Sequence, residues 1–244
     1  GNAWLLGHDL RDPAELQAAK ANMGYLPSEP GLDESVTGRR LLHYYEALQG
    51  DVRSDELLEL FDPPLDRKVG EYSRGNKQML AIVLSFMHDP DLLVMDEPTS
   101  GLDPLKQERF NEFLRDEVNR GKTAFLSSHV LSEVQKACDR IGIIREGHLA
   151  DVESVENLLK RGGKVVRARV DKPVTAGEFE FPGVDDLRVT DENGTTGVSF
   201  TFTGDYDTLL ARLASHTVLD LDVRDAPLED VFMGFYGDGP GPAR

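Results

Sequence analysis

Two apolar rhythms alternate along the first 160 residues. Residues 36–48, 54–61 and 104–118 place their apolar side chains three and four positions apart, with Leu57, Leu58 and Phe61 on one side of the second segment and Phe110, Phe113 and Leu114 on one side of the third. That period predicts helices. Residues 13–20 read as a further helix, Thr37 stands near the start of the 36–48 helix, and Ser54 reads as the N-cap of the 54–61 helix. Between them lie short apolar runs, Met23–Leu26, 92–95 and Thr123–Ser127. Residues 92–95 are too few for a helix and lack two-residue alternation, which predicts a strand covered on both faces, as in a parallel sheet between helices.

The character changes after Lys164, and the stretch before it already turns to shorter elements. Strands are expected at Arg140–Arg145 and 148–151 around a Glu146-Gly147 turn, then a helix over 155–159 that ends at Arg161-Gly162-Gly163. Lys164–Val170 alternates as a half-buried strand, and 187–190 and 198–202 bracket Asn193-Gly194, a hairpin signal. A helix over 205–214, a strand over 217–223 and a closing helix at 227–232 complete a small α+β unit with an antiparallel sheet. The Gly- and Pro-rich residues 237–244 read as a disordered tail.

Chemistry concentrates at Asp96-Glu97-Pro98-Thr99-Ser100-Gly101-Leu102-Asp103, which follows the apolar run 92–95. Ligands of covered parallel sheets gather at the carboxyl ends of the strands, where these two carboxylates lie. One can hold Mg²⁺ while its neighbour orients or deprotonates an attacking water. An acidic pair alone serves equally well to cap the turn that follows. Upstream, Ser73-Arg74-Gly75-Asn76-Lys77-Gln78 precedes a run of good helix formers, with Ser73 as a plausible cap and Gly75 permitting close backbone approach. Downstream, the run Thr123–Ser127 leads into Ser128 and His129.

In this order and spacing the chain resembles the ATP-binding subunit of ABC transporters, in the branch of drug and ABC-2 exporters. Residues 73–78 resemble the signature motif, 92–97 Walker B, 100–103 the D-loop, and His129 the switch histidine. The resemblance covers roughly residues 1–151. It implies an α/β fold of the P-loop NTPase type, with a helical subdomain at about 28–88 and a small C-terminal α+β domain. The domains implied are 1–162 for ATP binding and 163–236 for an accessory or regulatory role. It further implies that Asp96 acts on Mg²⁺, that Glu97 polarises the attacking water, and that His129 contacts the γ-phosphate of ATP. Ser73, Gly75 and Asn76 of the signature motif would meet nucleotide held by an opposing subunit, and Asp103 and Ser28 would belong to the nucleotide-binding surroundings. The implied partners are a second ATP-binding subunit and a transmembrane permease, which would hold the protein on the cytoplasmic face of the cell membrane.

Two positions depart from the family pattern. No G-x-x-x-x-G-K-[ST] occurs, so the Walker A loop that cradles phosphates is missing. The chain begins with Gly1, and residues 1–10 resemble the strand shortly after the Walker A helix, which implies a core lacking its first strands. Trp4 lies on the wrong side of the missing motif for adenine stacking and is expected to be a packing residue. In Gly24-Tyr25-Leu26-Pro27-Ser28-Glu29, which resembles the Q-loop, Ser28 stands where Gln or Glu is usual, leaving Ser28 and Glu29 as alternatives for that role.

Composition narrows the field. Forty-four acidic against 27 basic residues give a net charge of −17, which repels a phosphate backbone and argues against general nucleic-acid binding. The single cysteine, Cys138, excludes an internal disulfide and reads as a small core residue; the six histidines lack ligand spacing, so zinc is not expected. No apolar run approaches the roughly 18 residues of a membrane span. Three readings follow: an exporter ATPase subunit; a degenerate partner that lends Ser73 to an intact ATPase; and a relative in translation or DNA repair, which the charge and the accessory domain disfavour.

Overall fold

The computed structural model describes residues 1–192 and 194–236. They form two compact units, divided between Val130 and Leu131.

The first unit opens with a hairpin, β1 (Trp4–Leu5) and β2 (His8–Asp9). Trp4 is not a core residue: it is 60% exposed on this short hairpin, with the Arg11 guanidinium 5.8 Å from its ring centroid. Helix α1 (Pro13–Ala21) begins at Asp12, whose carboxylate accepts the amides of Ala14 and Glu15, with Pro13 at a position needing no donor. Then come β3 (Met23–Leu26), α2 (Gly38–Gln49) capped by Thr37, α3 (Ser54–Phe61), a 3₁₀ turn at Val69–Glu71, α4 (Arg74–Phe86), β4 (Leu92–Asp96), α5 (Pro104–Asn119) and β5 (Thr123–Ser127). Ser54 is the first residue inside α3, not its cap. Asp51 takes the capping role, accepting the Ser54 amide at 2.8 Å as well as the Ser54 hydroxyl.

Strands β3, β4 and β5 form a parallel sheet with β4 in the middle. One face is covered: Leu26, Leu93 and Met95 join Leu80, Val83 and Phe86 of α4 and Phe110 of α5 in a common core. The other face is open, contrary to expectation. Tyr25, Val94 and Phe125 stand side by side across the three strands, with Tyr25 53% and Phe125 69% exposed. Parallel sheets are ordinarily covered on both faces, and this row of side chains is instead exposed.

A buried ionic cluster ties α3, α5 and the start of β5. Arg53 Nη1 lies 2.7 Å from both carboxylate oxygens of Glu117, and Lys122 Nζ lies 2.8 Å from Glu117 Oε2. Asp89 pairs with the same two cations. The Glu117 side chain is only 2% exposed. Burial alone would raise its pKa; hydrogen bonds from Arg53 and Lys122, together with their charges, outweigh it and hold the carboxyl below its usual range.

The second unit contains α6 (Leu131–Ala137), β6 (Arg140–Arg145), β7 (His148–Ser154), α7 (Val155–Gly162), β8 (Lys164–Val170), β9 (Val184–Glu192), β10 (Thr195–Phe202), α8 (Tyr206–Ala214), β11 (Val218–Asp225) and α9 (Leu228–Tyr236). Compact packing thus divides the chain before α6. Val134, Ile141, Ile143, Val155 and Leu158 share a core with Leu228 of the last helix. Cys138 packs partly buried against this core, and burial raises its thiol pKa.

The remaining strands form an antiparallel sheet in the order β11-β8-β10-β9. This is the order of a split βαβ fold, with a 3₁₀ turn at Ala176–Glu178 in place of the first helix. Val166, Ala168, Phe200, Phe202, Leu209 and Leu213 make its core. The expected hairpin joins β9 to β10, with Glu192 opposite Thr195; Asn193 and the tail 237–244 lie outside the described residues. Among the described residues, no helix is long and apolar enough to cross a membrane.

Candidate functional site

Strand β4 delivers Asp96 to its carboxyl end, and Glu97 follows in the left-handed backbone region at φ 48°. That conformation is uncommon outside glycine. Its support comes from the neighbouring strand. The Glu97 amide donates to both the carbonyl and the hydroxyl oxygen of Ser127, each at 3.2 Å, and the Ser127 hydroxyl donates to Asp96 Oδ1 at 2.5 Å. Two residues on, His129 Nδ1 lies 2.7 Å from Glu97 Oε1. Thus Ser127 holds the backbone of Glu97 and the carboxylate of Asp96, while His129 holds the Glu97 side chain. His129 is 78% exposed and Glu97 26%, so the pair is open to an incoming ligand.

Ser127 was not singled out from the sequence. The signal that reveals it is register: parallel pairing sets Asp96 opposite Ser127.

The residues at the start of α4 form a second group. Ser73 caps the helix, its hydroxyl oxygen accepting the Asn76 amide at 3.2 Å. Gly75 is pressed against the loop after Glu97, where a Cβ would stand 2.8 Å from the Gly101 carbonyl oxygen. A Cβ on Gly101, which has φ +80°, would meet the Arg74 side chain at 2.8 Å. Arg74 Nη2 donates to Ser100 Oγ at 2.7 Å, and the buried Gln78 side chain donates to the Pro98 carbonyl at 2.8 Å. The bare Cα of Gly75 therefore also lets the Gly101 backbone come close.

Asp103 caps α5. It accepts the Lys106 amide at 3.0 Å, and that hydrogen bond leads the effects that lower its pKa. Ser28 lines a cleft of about 250 Å³ with Glu29, Pro30, Arg74, Lys77 and Gln78, which brings the anticipated Q-loop positions beside the α4 start. Among the described residues, no group of three or more His, Cys, Asp or Glu side chains is placed to hold a metal ion. Hard oxygen donors for a partly hydrated Mg²⁺ are nonetheless present in Asp96 and the Ser127 hydroxyl, since that ion keeps several waters and needs only one or two carboxylates.

In a parallel α/β sheet, acidic residues at the carboxyl end of the middle strand stand where ligands bind. Comparison narrows this. Residues 1–100 match the ABC transporter family model. Over 98% of its length the chain is 30% identical to the bacitracin transport ATP-binding protein BcrA of Enterococcus faecalis, spanning 79% of that protein. The Nod factor export ATP-binding protein I of Burkholderia lata is 32% identical over 92% of the chain, which spans 76% of it. Against rat ATP-binding cassette sub-family A member 7 the identity is 30% over 98% of the chain, but the chain spans only 12% of that protein's length. A solved ATP-binding subunit of an ABC transporter superposes with a TM-score of 0.56 at 27% identity, covering 64% of this chain and 67% of that one. The chain belongs to the ATP-binding proteins of ABC transporters.

Proposed function

We propose that this chain acts as an ATP-hydrolysing subunit that powers export through a separate transmembrane permease. The observation that carries the reading is the Asp96, Glu97, Ser127 and His129 constellation at the end of β4 and β5. Bound Mg²⁺ would supply neutralisation of phosphate charge, and Asp96 with Ser127 would hold it. Glu97 orients the attacking water and accepts its proton, and His129 keeps that carboxylate aimed while presenting its exposed ring to the γ-phosphate. Ser73, Gly75 and Asn76 lie at the start of α4, where amides and the positive end of the helix suit phosphate on an opposing subunit. Hydrolysis then belongs to a head-to-tail pair of subunits docked on the cytoplasmic side of the permease.

The 244 residues contain no G-x-x-x-x-G-K-[ST] loop to cradle phosphates. The chain by itself is therefore expected to bind ATP weakly. Isothermal titration calorimetry with MgATP tests this, and a Kd tighter than about 10 µM, near −7 kcal/mol, would contradict it. A genuine start site at Gly1 in the encoding DNA would instead favour the degenerate-partner reading.

Ser127 acts here as a positioning residue. In protein with a phosphate loop, Ser127→Ala is expected to lower kcat roughly tenfold with KM for ATP little changed, and Ser127→Thr to restore it. Equal kcat in wild type and Ser127→Ala would remove Ser127 from the mechanism.

A further inference from the structure

The outer strand of the antiparallel sheet, β11, lies at an edge among the described residues. Its two faces are unlike. Leu221 stands opposite Ala168 and Val223 opposite Val166, both members of the sheet's core. Yet Leu221 and Val223 are each 44% exposed, against 5% for Ala168 and 0% for Val166. The apolar face thus runs past its cover onto the edge strand. On the opposite face, Asp220 pairs with Arg169 and Asp222 with Arg167, and Arg224 follows. An exposed edge of this kind is a template for another strand unless charge or irregularity blocks it.

We propose that β11 is a self-association edge, pairing antiparallel with β11 of a second copy about a twofold axis at Asp222 and joining two four-stranded sheets into one of eight. This register sets Asp220 of each copy opposite Arg224 of the other, and Leu221 of each opposite Val223 of the other. Both contacts occur twice, as a twofold interface requires. On the polar face Arg169, Asp220 and the partner copy's Arg224 alternate in sign across the new seam. The two Asp222 carboxylates meet at the axis, each paired with Arg224 of its own strand at 2.8 Å, so each Arg224 bridges its own Asp222 and the partner copy's Asp220. Shifting the axis to Leu221 opposes Asp220 with Asp222 twice and takes Arg224 away from the partner copy's Asp220. Moving it to Val223 opposes Leu221 with Asp225, which already pairs with Lys164. The other edge, β9, does not offer the same fit: centred on Arg188, its self-pairing would oppose Asp185 with Asp191.

The association needs no nucleotide, so it is separate from any ATP-dependent pairing of catalytic surfaces. Light scattering coupled to size exclusion, on the chain at about 100 µM without nucleotide, is the test. The expected result is a dimer whose Kd weakens at least about tenfold in Arg224→Asp, where like charges face each other twice. The double variant Asp220→Arg with Arg224→Asp, which exchanges the charges, should regain the dimer. Val223→Lys, at an exposed apolar position, should be monomeric with an unchanged melting midpoint. A monomeric wild type, an undiminished dimer in Arg224→Asp and Val223→Lys, or a charge-exchanged variant that stays monomeric would each overturn the proposal.

Discussion

Glu117→Gln is expected to destabilise the first unit by about 3–5 kcal/mol, the usual cost of removing one partner from a buried ion pair. The glutamine fits the space but leaves Arg53 and Lys122 without the carboxylate that both contact. Arg53 anchors the start of α3, and Glu117 sits near the end of α5, so the loss falls on contacts between segments 64 residues apart. Urea unfolding at pH 7 would show a lower midpoint. The Glu117 pKa is depressed in the folded chain, so its contribution is fully present above the unfolded value of about 4.3 and disappears as pH falls through the folded value. The gap between wild type and variant should accordingly close only on acidification below about pH 4. Equal midpoints at pH 7 would mean that the cluster adds nothing.

The second large effect concerns turnover. In protein completed by a phosphate loop, Glu97→Gln should cut ATP hydrolysis by about 10²- to 10⁴-fold while leaving nucleotide binding intact, since the amide can no longer accept a proton. This corresponds to roughly 3–5 kcal/mol of lost transition-state stabilisation. ATP that binds without being consumed should hold two subunits together, and the closed dimer should accumulate. Near-normal hydrolysis by the variant, or a variant that stays monomeric with ATP bound, would assign the base elsewhere. Because His129 contacts Glu97 at 2.7 Å, His129→Ala should reduce turnover through the same carboxylate.

Much of the layout was legible because local chemistry and long-range packing agreed. Ser73 announces a helix start and caps one, and residues 92–95 announce a strand and form the middle of the sheet. Ser54 misled because Asp51, three residues earlier, accepts both its amide and its hydroxyl, and the helix starts at Ser54 with Arg53 in the N-cap position. Trp4 misled because bulk and apolarity do not reveal whether a covering layer exists on that side of a hairpin. Leu228 shares a core with Val155 and Leu158, a contact that no glycine pair can signal. Ser127 and the Arg53, Glu117 and Lys122 cluster were out of reach for the same reason. Their meaning lies in register and in partners far away along the chain.

The grip of α4 on the loop after Glu97 has a mechanical result. Arg74 holds Ser100, Gly75 seats Gly101 and Gln78 holds Pro98, all within little more than one helical turn. A push on the first turn of that helix therefore reaches the backbone beside Glu97 directly, without flexing the sheet. Whatever a neighbouring molecule does at Ser73 is felt at the Glu97 carboxylate as a displacement of one stiff lever.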